Sequence, residues 1–274
     1  MKLSVIVSTY NQPDWLELCL WGLAAQSERD FEVLIADDGS DEATALRIER
    51  TRAATGLQIR HVWHADDGFR KCAILNKAVS ASGGDYLVFT DGDCLLRKDF
   101  VATHLRFRQT GYFLSGGYCK LPMQTSKRVT ADVVTSQQVF DIGWLRANGL
   151  TSRRGMAKLR SGPRIGAWLD AITPTQATWN GHNASGWKTD IVGANGFDER
   201  MAYGGEDREL GERMRNAGIR ARQIRHRAIV VHLDHARGYV SEAAIARNRQ
   251  IRAETAAQKR TWTPFGLIRA ADPG

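Results

Sequence analysis

Blocks of apolar residues alternate with amphipathic segments over the first 95 residues of the chain. The apolar runs are rich in β-branched residues and predict strands, while the segments between them have apolar residues at helical spacing. Strands are predicted at residues 3–8, 31–38, 57–63 and 85–91, and helices at residues 14–26, 41–54 and 70–82. This alternation is typical of a parallel sheet with helices on its faces, which binds ligands at the carboxyl ends of its strands.

The pattern changes after residue 110. Residues 112–122 predict a strand and a turn, and residues 123–180 form a long polar stretch with few strand signals. This stretch contains Lys127, Arg128, Arg146, Arg153, Arg154, Lys158, Arg160 and Arg164, interleaved with Trp144, Trp168 and Trp179. It indicates either a solvated face or a lobe that contacts a substrate or a membrane.

Three of the predicted strands end in polar clusters. These clusters are Thr9-Tyr10-Asn11, Asp37-Asp38-Gly39-Ser40 and Asp91-Gly92-Asp93. Because the carboxyl ends of parallel strands meet at one edge of a sheet, we expect the three clusters to lie together. A turn with a helix cap would explain the second cluster by itself, but not all three.

Asp91 and Asp93 follow a buried-looking strand with a single glycine between them. Two carboxylates that close repel each other unless a cation or a hydrogen-bond donor lies between them. His232 and His235 follow another β-branched run, and an imidazole at a strand end is either structural or a metal ligand. The pattern favours a metal site, and it leaves the choice between the two histidines open.

A further helix is predicted between the paired glycines 204–205 and Gly218. Glu206 and Asp207 lie in its first turn, where the helix dipole favours carboxylates, so capping alone would account for them. The paired glycines allow the backbone to approach a ligand and to direct the next carboxylate, which favours a functional site.

Composition and charge narrow the function classes. The 274 residues are 43% hydrophobic and 25% charged, as in a soluble globular protein, and 38 Lys and Arg against 30 Asp and Glu give a net charge of +8. A basic chain favours an anionic partner, which could be a phosphate, a nucleic acid or an anionic membrane surface. The four cysteines lack CxxC spacing, and the N-terminal apolar run is too short for a signal peptide, so a reducing, cytoplasmic setting is expected.

Six segments carry a resemblance to a known family. They are "VIVSTYN", "ADDGSDE", "DDGFRKCAILNKAVSASGGDYLVFTDGDC", "GHNASGW", "NGFDERMAYGGEDREL" and "VVHLDH". In this order and spacing they resemble the inverting family 2 glycosyltransferases of the GT-A fold, in particular bacterial polysaccharide and lipopolysaccharide enzymes with a galactosyltransferase-like C-terminal part. The resemblance implies an α/β fold with a Rossmann-like, mostly parallel central sheet flanked by helices.

The resemblance also implies an organisation of the chain. A nucleotide-sugar-binding half is expected at residues 1–118, and an acceptor-binding and catalytic half of the same GT-A domain at residues 119–240. Residues 241–274 are expected to form a basic helical tail. This tail is either a solvated helix packed on the domain or a helix that lies on a membrane surface.

The matched residues take roles from the family. Thr9, Tyr10, Asn11 and Asp38 are expected to frame the nucleotide, and Arg70 to face its pyrophosphate.

The metal site is implied by the same comparison. Asp93 and His232 are expected to bind a divalent cation, Mn²⁺ or Mg²⁺, with His235 as the alternative to His232. Asp91 is expected to bind the ribose or the same metal.

The remaining matched residues concern the sugar and the acceptor. Asn183 and Ser185 are expected to line the donor sugar, and Tyr203 stands where the family often has a tryptophan. Asp207 is implied as the general base that takes the proton of the acceptor hydroxyl, and Glu206 as a ligand for a sugar hydroxyl.

The predicted function is a metal-dependent inverting glycosyltransferase. It would move a hexose or N-acetylhexosamine from a nucleotide sugar, preferably UDP-linked, to a glycan or glycolipid acceptor in bacterial surface polysaccharide or lipopolysaccharide synthesis. The expected location is cytoplasmic, with peripheral contact to the inner face of the membrane and no nucleic-acid partner. The alternatives are a sugar-phosphate nucleotidyltransferase and a non-catalytic basic module that binds anions or membranes.

Overall fold

The computed structural model describes residues 2–160, 163–173, 175–236 and 240–268. The side chains of Arg153, Arg154, Arg160 and Arg164, which belong to the predicted basic lobe, and residues 269–274 of the predicted tail lie outside this description.

The strands of the described chain form two sheets. They are β1 (Leu3–Thr9), β2 (Glu32–Asp37), β3 (Ile59–Trp63), β4 (Tyr86–Asp91), β5 (Cys94–Leu96), β6 (Tyr112–Ser115), β7 (Gly117–Lys120), β8 (Ala184–Trp187), β9 (Arg220–Gln223) and β10 (Ile229–His232). The large sheet has the order β3-β2-β1-β4-β8-β6-β9, and the small sheet has the order β5-β10-β7.

Helices connect and cover these strands. They are α1 (Pro13–Ala24), α2 (Glu42–Thr55), α3 (Lys71–Ala81), α4 (Phe100–Phe107), α5 (Met123–Ser126), α6 (Ala131–Thr135), α7 (Ile142–Ala147), α8 (Arg153–Arg160), α9 (Pro163–Ile172), α10 (Lys188–Gly193), α11 (Glu206–Asn216) and α12 (Glu242–Ala257). A 3₁₀ turn at Gln138–Phe140 precedes α7.

The large sheet is parallel in its first half. Strands β3, β2, β1 and β4 run in the same direction, whereas β8 is antiparallel to both of its neighbours, β4 and β6. In this register Ser8 of β1 lies beside Asp91, and Thr9 lies beside Asp37. The polar ends of β1, β2 and β4 therefore meet at one edge, as the sequence predicts.

Both faces of the large sheet are buried, because helices cover each of them. Val5 and Val7 of β1 belong to one apolar cluster together with Leu20 of α1. Ile6, which points to the opposite face, belongs to a second cluster together with Ile74 of α3. Burial on both faces explains why these strands are continuous apolar runs rather than alternating ones.

The small sheet joins distant parts of the chain. Strand β5 follows directly after Asp93 and pairs antiparallel with β10, so that Cys94 lies beside His232. Strand β10 also pairs in parallel with β7. The backbone N–H of Leu233 donates to the carbonyl of Asp93 at 2.9 Å, which extends the pairing to the aspartate itself.

The sequence predictions hold best for the first half of the chain. Strands β1 to β4 and helices α1 to α3 are confirmed, with their ends shifted by at most two residues. Strands β5, β8 and β9 had not been predicted, because they are three or four residues long and have no run of β-branched residues. The described part of residues 123–180 is mainly short helices.

The C-terminal segment packs on the domain. Ile251 of α12 is 5% exposed and joins the second apolar cluster, and the Thr255 hydroxyl donates to Glu209 of α11 at 2.9 Å. Asn195 donates to the carbonyls of Thr263 and Ile268, which ties down the chain after α12. This arrangement corresponds to the packed-helix alternative for the tail. None of the described helices combines the length and the apolar character needed to cross a bilayer.

Candidate active site

The loops that follow β1 and β2 form one part of the polar edge of the large sheet. The Asn11 backbone N–H donates to the Ser40 hydroxyl at 2.8 Å, and the Asp41 N–H donates to the Asn11 side-chain oxygen at 2.9 Å. Thr9 is 8% exposed, and its hydroxyl has no hydrogen-bond partner in the described structure. A buried, unpaired hydroxyl at a cleft is a group that a ligand can satisfy.

Asp38 lies in the loop after β2 and is 6% exposed. Its carboxylate accepts from the Arg70 backbone N–H at 2.9 Å and faces the His64 imidazole at 2.8 Å. Burial raises the pKa of Asp38, although its bond to His64 opposes the shift. Tyr10 is held nearby by a 2.9 Å bond from its hydroxyl to Asp66.

Arg70 and Lys71 begin helix α3, and they point to different partners. The Arg70 guanidinium is 42% exposed and pairs with Asp67 at 3.0 Å. The Lys71 ammonium donates to Asp91 at 2.7 Å. Arg70 is the basic residue that the sequence predicts for the site, whereas Lys71 is the one that contacts Asp91.

Asp91 is held by two donors. One of its oxygens accepts from both Lys71 and the Ser8 hydroxyl, the latter at 2.5 Å. Burial disfavours the charged carboxylate, but the Lys71 ammonium and the His182 ring outweigh it and hold the pKa of Asp91 well below its usual range. Asp91 is therefore ionised at neutral pH.

Asp93 faces the histidines that follow β10. Its Oδ2 lies 2.8 Å from His235 Nε2 and 3.5 Å from His232 Nε2. The two imidazole rings are stacked, with centroids 5.9 Å apart. Both predicted alternatives therefore reach the aspartate, and His235 lies closer.

The other ring nitrogens define how these histidines are oriented. His232 Nδ1 lies 2.5 Å from the Leu233 carbonyl, and His235 Nδ1 lies 2.8 Å from the Ala236 carbonyl. Because a carbonyl oxygen only accepts, each Nδ1 carries a hydrogen, and Nε2 is the ring nitrogen that faces Asp93. A cation bound beside Asp93 could therefore be coordinated by Nε2 of either ring.

Cys94 adds a third donor type to this cluster. The ligand atoms of Asp93, Cys94 and His232 lie within 4.8 Å of one another, which is close enough to hold a metal ion. The spacing of the cysteines does not predict a role for Cys94, because CxxC pairs are absent from the sequence. The burial of Cys94 raises the pKa of its thiol, with Asp93 and Asp91 adding to the effect, so the carboxylate and imidazoles are the better donors.

The turn before α11 has the unusual backbone predicted for it. Gly204 and Gly205 have φ values of 118° and 96°, in the region that favours glycine. The Gly204 N–H donates to the Glu206 carboxylate at 2.9 Å. Glu206 is 8% exposed, and burial together with the neighbouring Asp207 charge raises its pKa.

Asp207 follows and is less buried than Glu206. Its Oδ2 accepts from the backbone N–H of Gly181 at 2.8 Å. This bond joins the turn before α11 to the loop that contains His182. Burial lowers the pKa of His182, against the opposing charges of Asp91 and Asp207.

The acidic groups converge on Lys71. Burial disfavours its ammonium, but Asp91, Glu206 and Asp207 outweigh that effect and raise the pKa of Lys71 above its usual value. Carboxylates from β4 and from α11 therefore act on one cation. Neither Lys71 nor His182 was selected from the sequence, and the only signal for them was their position next to Arg70 and Asn183.

Asn183 and Ser185 require a correction. Both are 0% exposed, so neither has surface that a donor sugar can contact in this structure. Asn183 donates to the carbonyls of Gly117 and Ala228, and the Ser185 hydroxyl bonds to Tyr86 at 2.8 Å. Their polar groups form hydrogen bonds within the core. These bonds hold in place the loop that contains Gly181.

Helix α12 supports the glycine turn from behind. The Asn248 amide, which is 0% exposed, donates to the carbonyls of Ala202 and Gly204 at 2.7 and 3.3 Å. Arg252 pairs with Glu212 of α11 at 2.5 Å. The predicted Tyr203 lies on this turn, with its ring packed edge-on against Phe69 at 6.2 Å.

Comparison with known proteins gives the family. Residues 4–118 match the profile of the family described as "Glycosyl transferase family 2". This part of the chain is a family 2 glycosyltransferase domain. The chain is 26% identical over 262 residues to the uncharacterized glycosyltransferase YfnE of Bacillus subtilis, and 24% identical over 234 residues to the chondroitin synthase of Escherichia coli.

The chain spans only part of the length of these relatives. The alignments cover 86% and 81% of the chain but only 65% of the Bacillus subtilis protein and 33% of the chondroitin synthase.

Solved structures confirm the predicted GT-A fold. Staphylococcus aureus TarS, residues 1–349 in complex with UDP-GlcNAc, superimposes with a TM-score of 0.62 at 19% identity, covering 94% of this chain and 69% of the TarS chain. The mannosyltransferase PcManGT from Pyrobaculum calidifontis, in complex with GDP-Man and Mn²⁺, gives a TM-score of 0.59 at 20% identity, covering 94% and 62%.

Proposed function

We propose that this family 2 protein is a metal-dependent inverting glycosyltransferase that uses a nucleotide sugar. The observation that supports this most directly is the ion pair of Lys71 with Asp91 at the carboxyl end of β4, within the field of Glu206 and Asp207 at the start of α11. A cluster of carboxylates at this edge suits a reaction in which a cation binds a diphosphate and a carboxylate accepts a hydroxyl proton.

The donor nucleotide would lie against the loops after β1 and β2. Thr9 offers an unpaired hydroxyl there, and Asp38 offers a buried carboxylate. Tyr10 and Asn11 would complete the frame, and Lys71 rather than Arg70 would approach the diphosphate. A UDP-linked hexose or N-acetylhexosamine is the preferred donor, because TarS is described with UDP-GlcNAc.

A divalent cation would be held by Asp93 together with His232 and His235. One carboxylate and two imidazoles suit Mn²⁺, which accepts both oxygen and nitrogen donors. PcManGT is described with Mn²⁺. When bound, such a cation supplies Lewis-acid stabilisation to a diphosphate leaving group.

Asp207 would act as the general base. It is less buried than Glu206, and the Gly181 N–H holds one of its oxygens in place. The base would take the acceptor hydroxyl proton as that oxygen attacks the anomeric carbon. One displacement without a carboxylate nucleophile inverts the anomeric centre. Glu206 would bind a sugar hydroxyl beside it.

The acceptor is proposed to be a glycan or glycolipid of the bacterial surface, in polysaccharide or lipopolysaccharide synthesis. Support comes from the similarity to chondroitin synthase, which is named for a polysaccharide product.

The function is tested with the purified protein, UDP- and GDP-sugars, and either Mn²⁺ or EDTA. We expect one nucleotide sugar to raise the unfolding free energy by about 2.7 kcal/mol at a hundredfold excess over its Kd, only with Mn²⁺ present. Asp93→Ala should remove this stabilisation. NMR of the transfer product should show an inverted anomeric centre.

Two outcomes would contradict the proposal. Stabilisation that persists in EDTA and in Asp93→Ala would show that nucleotide binding does not need the metal. A product with retained anomeric configuration would require a second nucleophile and would exclude a single displacement by the acceptor.

A further inference from the structure

Helix α9 is docked on the protein through its polar side. The Asp170 carboxylate accepts from the His226 backbone N–H at 2.9 Å and from Arg227 Nε at 2.7 Å. Gly166 sits so close to the same loop that an added Cβ would lie 2.8 Å from the His226 carbonyl. The orientation of the helix is therefore set by an ion pair and by a close backbone contact.

The outward side of α9 is apolar. Ile165, Trp168 and Ile172 are 59%, 62% and 52% exposed, and we call these three residues the α9 face. The other exposed positions between residues 165 and 172 are both alanine, so the exposed surface of this described stretch has no polar side chain. A surface helix normally has the opposite arrangement, with its apolar side on the core.

The sequence around this helix is strongly basic. Between Asp141 and Asp170 there is no acidic residue, but there are six basic ones: Arg146, Arg153, Arg154, Lys158, Arg160 and Arg164. An exposed tryptophan with aliphatic neighbours, next to a segment of charge +6, is the composition of a helix that lies in the interface of an anionic bilayer.

We propose that the α9 face docks on the surface of a membrane that contains anionic lipids. Trp168 and the two isoleucines enter the headgroup region, and the basic segment before them is attracted to the lipid phosphates. A second copy of the chain is the less favoured occupant, because the segment of charge +6 would repel its own copy.

The basic segment before α9 borders the candidate active site. Lys158 of α8 donates to the Tyr118 carbonyl at 3.2 Å, and the Tyr118 ring contacts the His182 ring at 4.7 Å. A lipid-linked acceptor would thereby be brought to the site. This consequence rests on the proposed function, whereas the docking itself does not.

The test is co-sedimentation of the full chain with vesicles. Vesicles of phosphatidylcholine alone are compared with vesicles that also contain phosphatidylglycerol, at low and high salt. We expect binding to the anionic vesicles only, weakened by salt because the basic segment is screened. The double variant Trp168→Ser with Ile172→Ser should bind at least about tenfold more weakly, since it loses buried apolar area.

The matched control is Trp262→Ser, because Trp262 is 40% exposed and belongs to the C-terminal segment that was the alternative membrane contact. This control should bind vesicles like the wild type. Loss of binding in the control but not in the double variant would overturn the proposal, as would equal binding to neutral vesicles.

Size-exclusion chromatography tests the other occupant. A wild-type dimer that the double variant converts to a monomer would assign the α9 face to self-association and overturn the proposal. Vesicle binding needs no sugar donor. Absence of any transfer activity would therefore contradict the proposed function. The docking proposal would still be decided by the sedimentation experiment.

Discussion

At the scale of single residues, the candidate site depends on how buried charges are balanced. Lys71 offsets the carboxylates of Asp91, Glu206 and Asp207, which otherwise would repel one another in a partly buried space. Arg70, its neighbour in sequence, is exposed and pairs with Asp67 on the surface. Two adjacent basic residues thus have different roles, because a helix start directs consecutive side chains about 100° apart.

Lys71→Met is expected to reduce transfer by at least about a hundredfold, because three carboxylates lose their shared cation and the site loses a donor for the diphosphate. Arg70→Ala, the matched control, should change kcat/KM by less than about threefold. The measurement is steady-state transfer with saturating acceptor. Equal losses in both variants would contradict the assignment of Lys71.

Asp207→Asn is expected to keep nucleotide binding and lose transfer. Asparagine retains the shape of the side chain and can still accept from Gly181, but it cannot take a proton. The loss in kcat should be about 10²–10⁴-fold, with the nucleotide Kd unchanged by calorimetry. Transfer at a near wild-type rate would show that another group is the base.

At the scale of elements, the site is assembled from both ends of the chain. Strand β5 pairs with β10 and brings His232 to Asp93, and helix α12 supports the turn that contains Gly204. The family profile matches residues 4–118 and so includes β5. Strand β10 and helix α12 lie beyond the matched residues. The C-terminal helix therefore supports the candidate site as well as covering the core.

Asn248→Ala is expected to loosen the glycine turn, because the carbonyls of Ala202 and Gly204 lose a buried donor. The cost in unfolding free energy should be about 1–3 kcal/mol. We also expect kcat to fall more than the donor KM rises, since the turn positions Asp207 rather than the nucleotide.

The control for this variant is Arg249→Ala on the exposed side of α12. Hydrogen exchange of the amides near residues 203–207 should accelerate in Asn248→Ala and stay unchanged in the control. A variant with slower transfer but unchanged exchange at the turn would contradict a positioning role for Asn248.

At the scale of the whole molecule, a buried polar network joins the two halves of the large sheet. His104 is 0% exposed and bonds to Ser185 at 2.7 Å and to Asn183 at 3.0 Å, while Tyr86 also bonds to Ser185. Burial lowers the pKa of His104 to about 4. The residues that the sequence analysis assigned to the donor sugar thus belong to the network that holds β4 and β8 together.

This network makes stability depend on pH. In the unfolded chain His104 has its ordinary pKa of 6.5, so between pH 6.5 and 4 the unfolded state binds a proton that the folded state excludes. Above pH 6.5 neither state binds this proton, and the free energy of unfolding does not depend on the protonation of His104. It should fall by about 3 kcal/mol as the pH drops to 4. Urea unfolding of the wild type and His104→Gln at several pH values measures it, and an identical pH dependence in both would contradict this origin.

The sequence by itself determined the parallel strands, the edge where their polar ends meet, and the two aspartates that flank one glycine. These features follow from local periodicity and from the shared direction of parallel strands, so no distant contact is needed to infer them. The unusual backbone at Gly204 and Gly205 was predictable for the same reason, since only glycine adopts it readily.

The tertiary structure alone decided which neighbours of those residues reach the site. Lys71 rather than Arg70 contacts Asp91, both histidines face Asp93, and Asn183 turns into the core. These outcomes depend on the pairing of β5 with β10 and of β8 with β4, between segments far apart in the chain and without a β-branched signal in β5 or β8. Side-chain direction at a loop or a helix start follows from such packing, which periodicity does not encode.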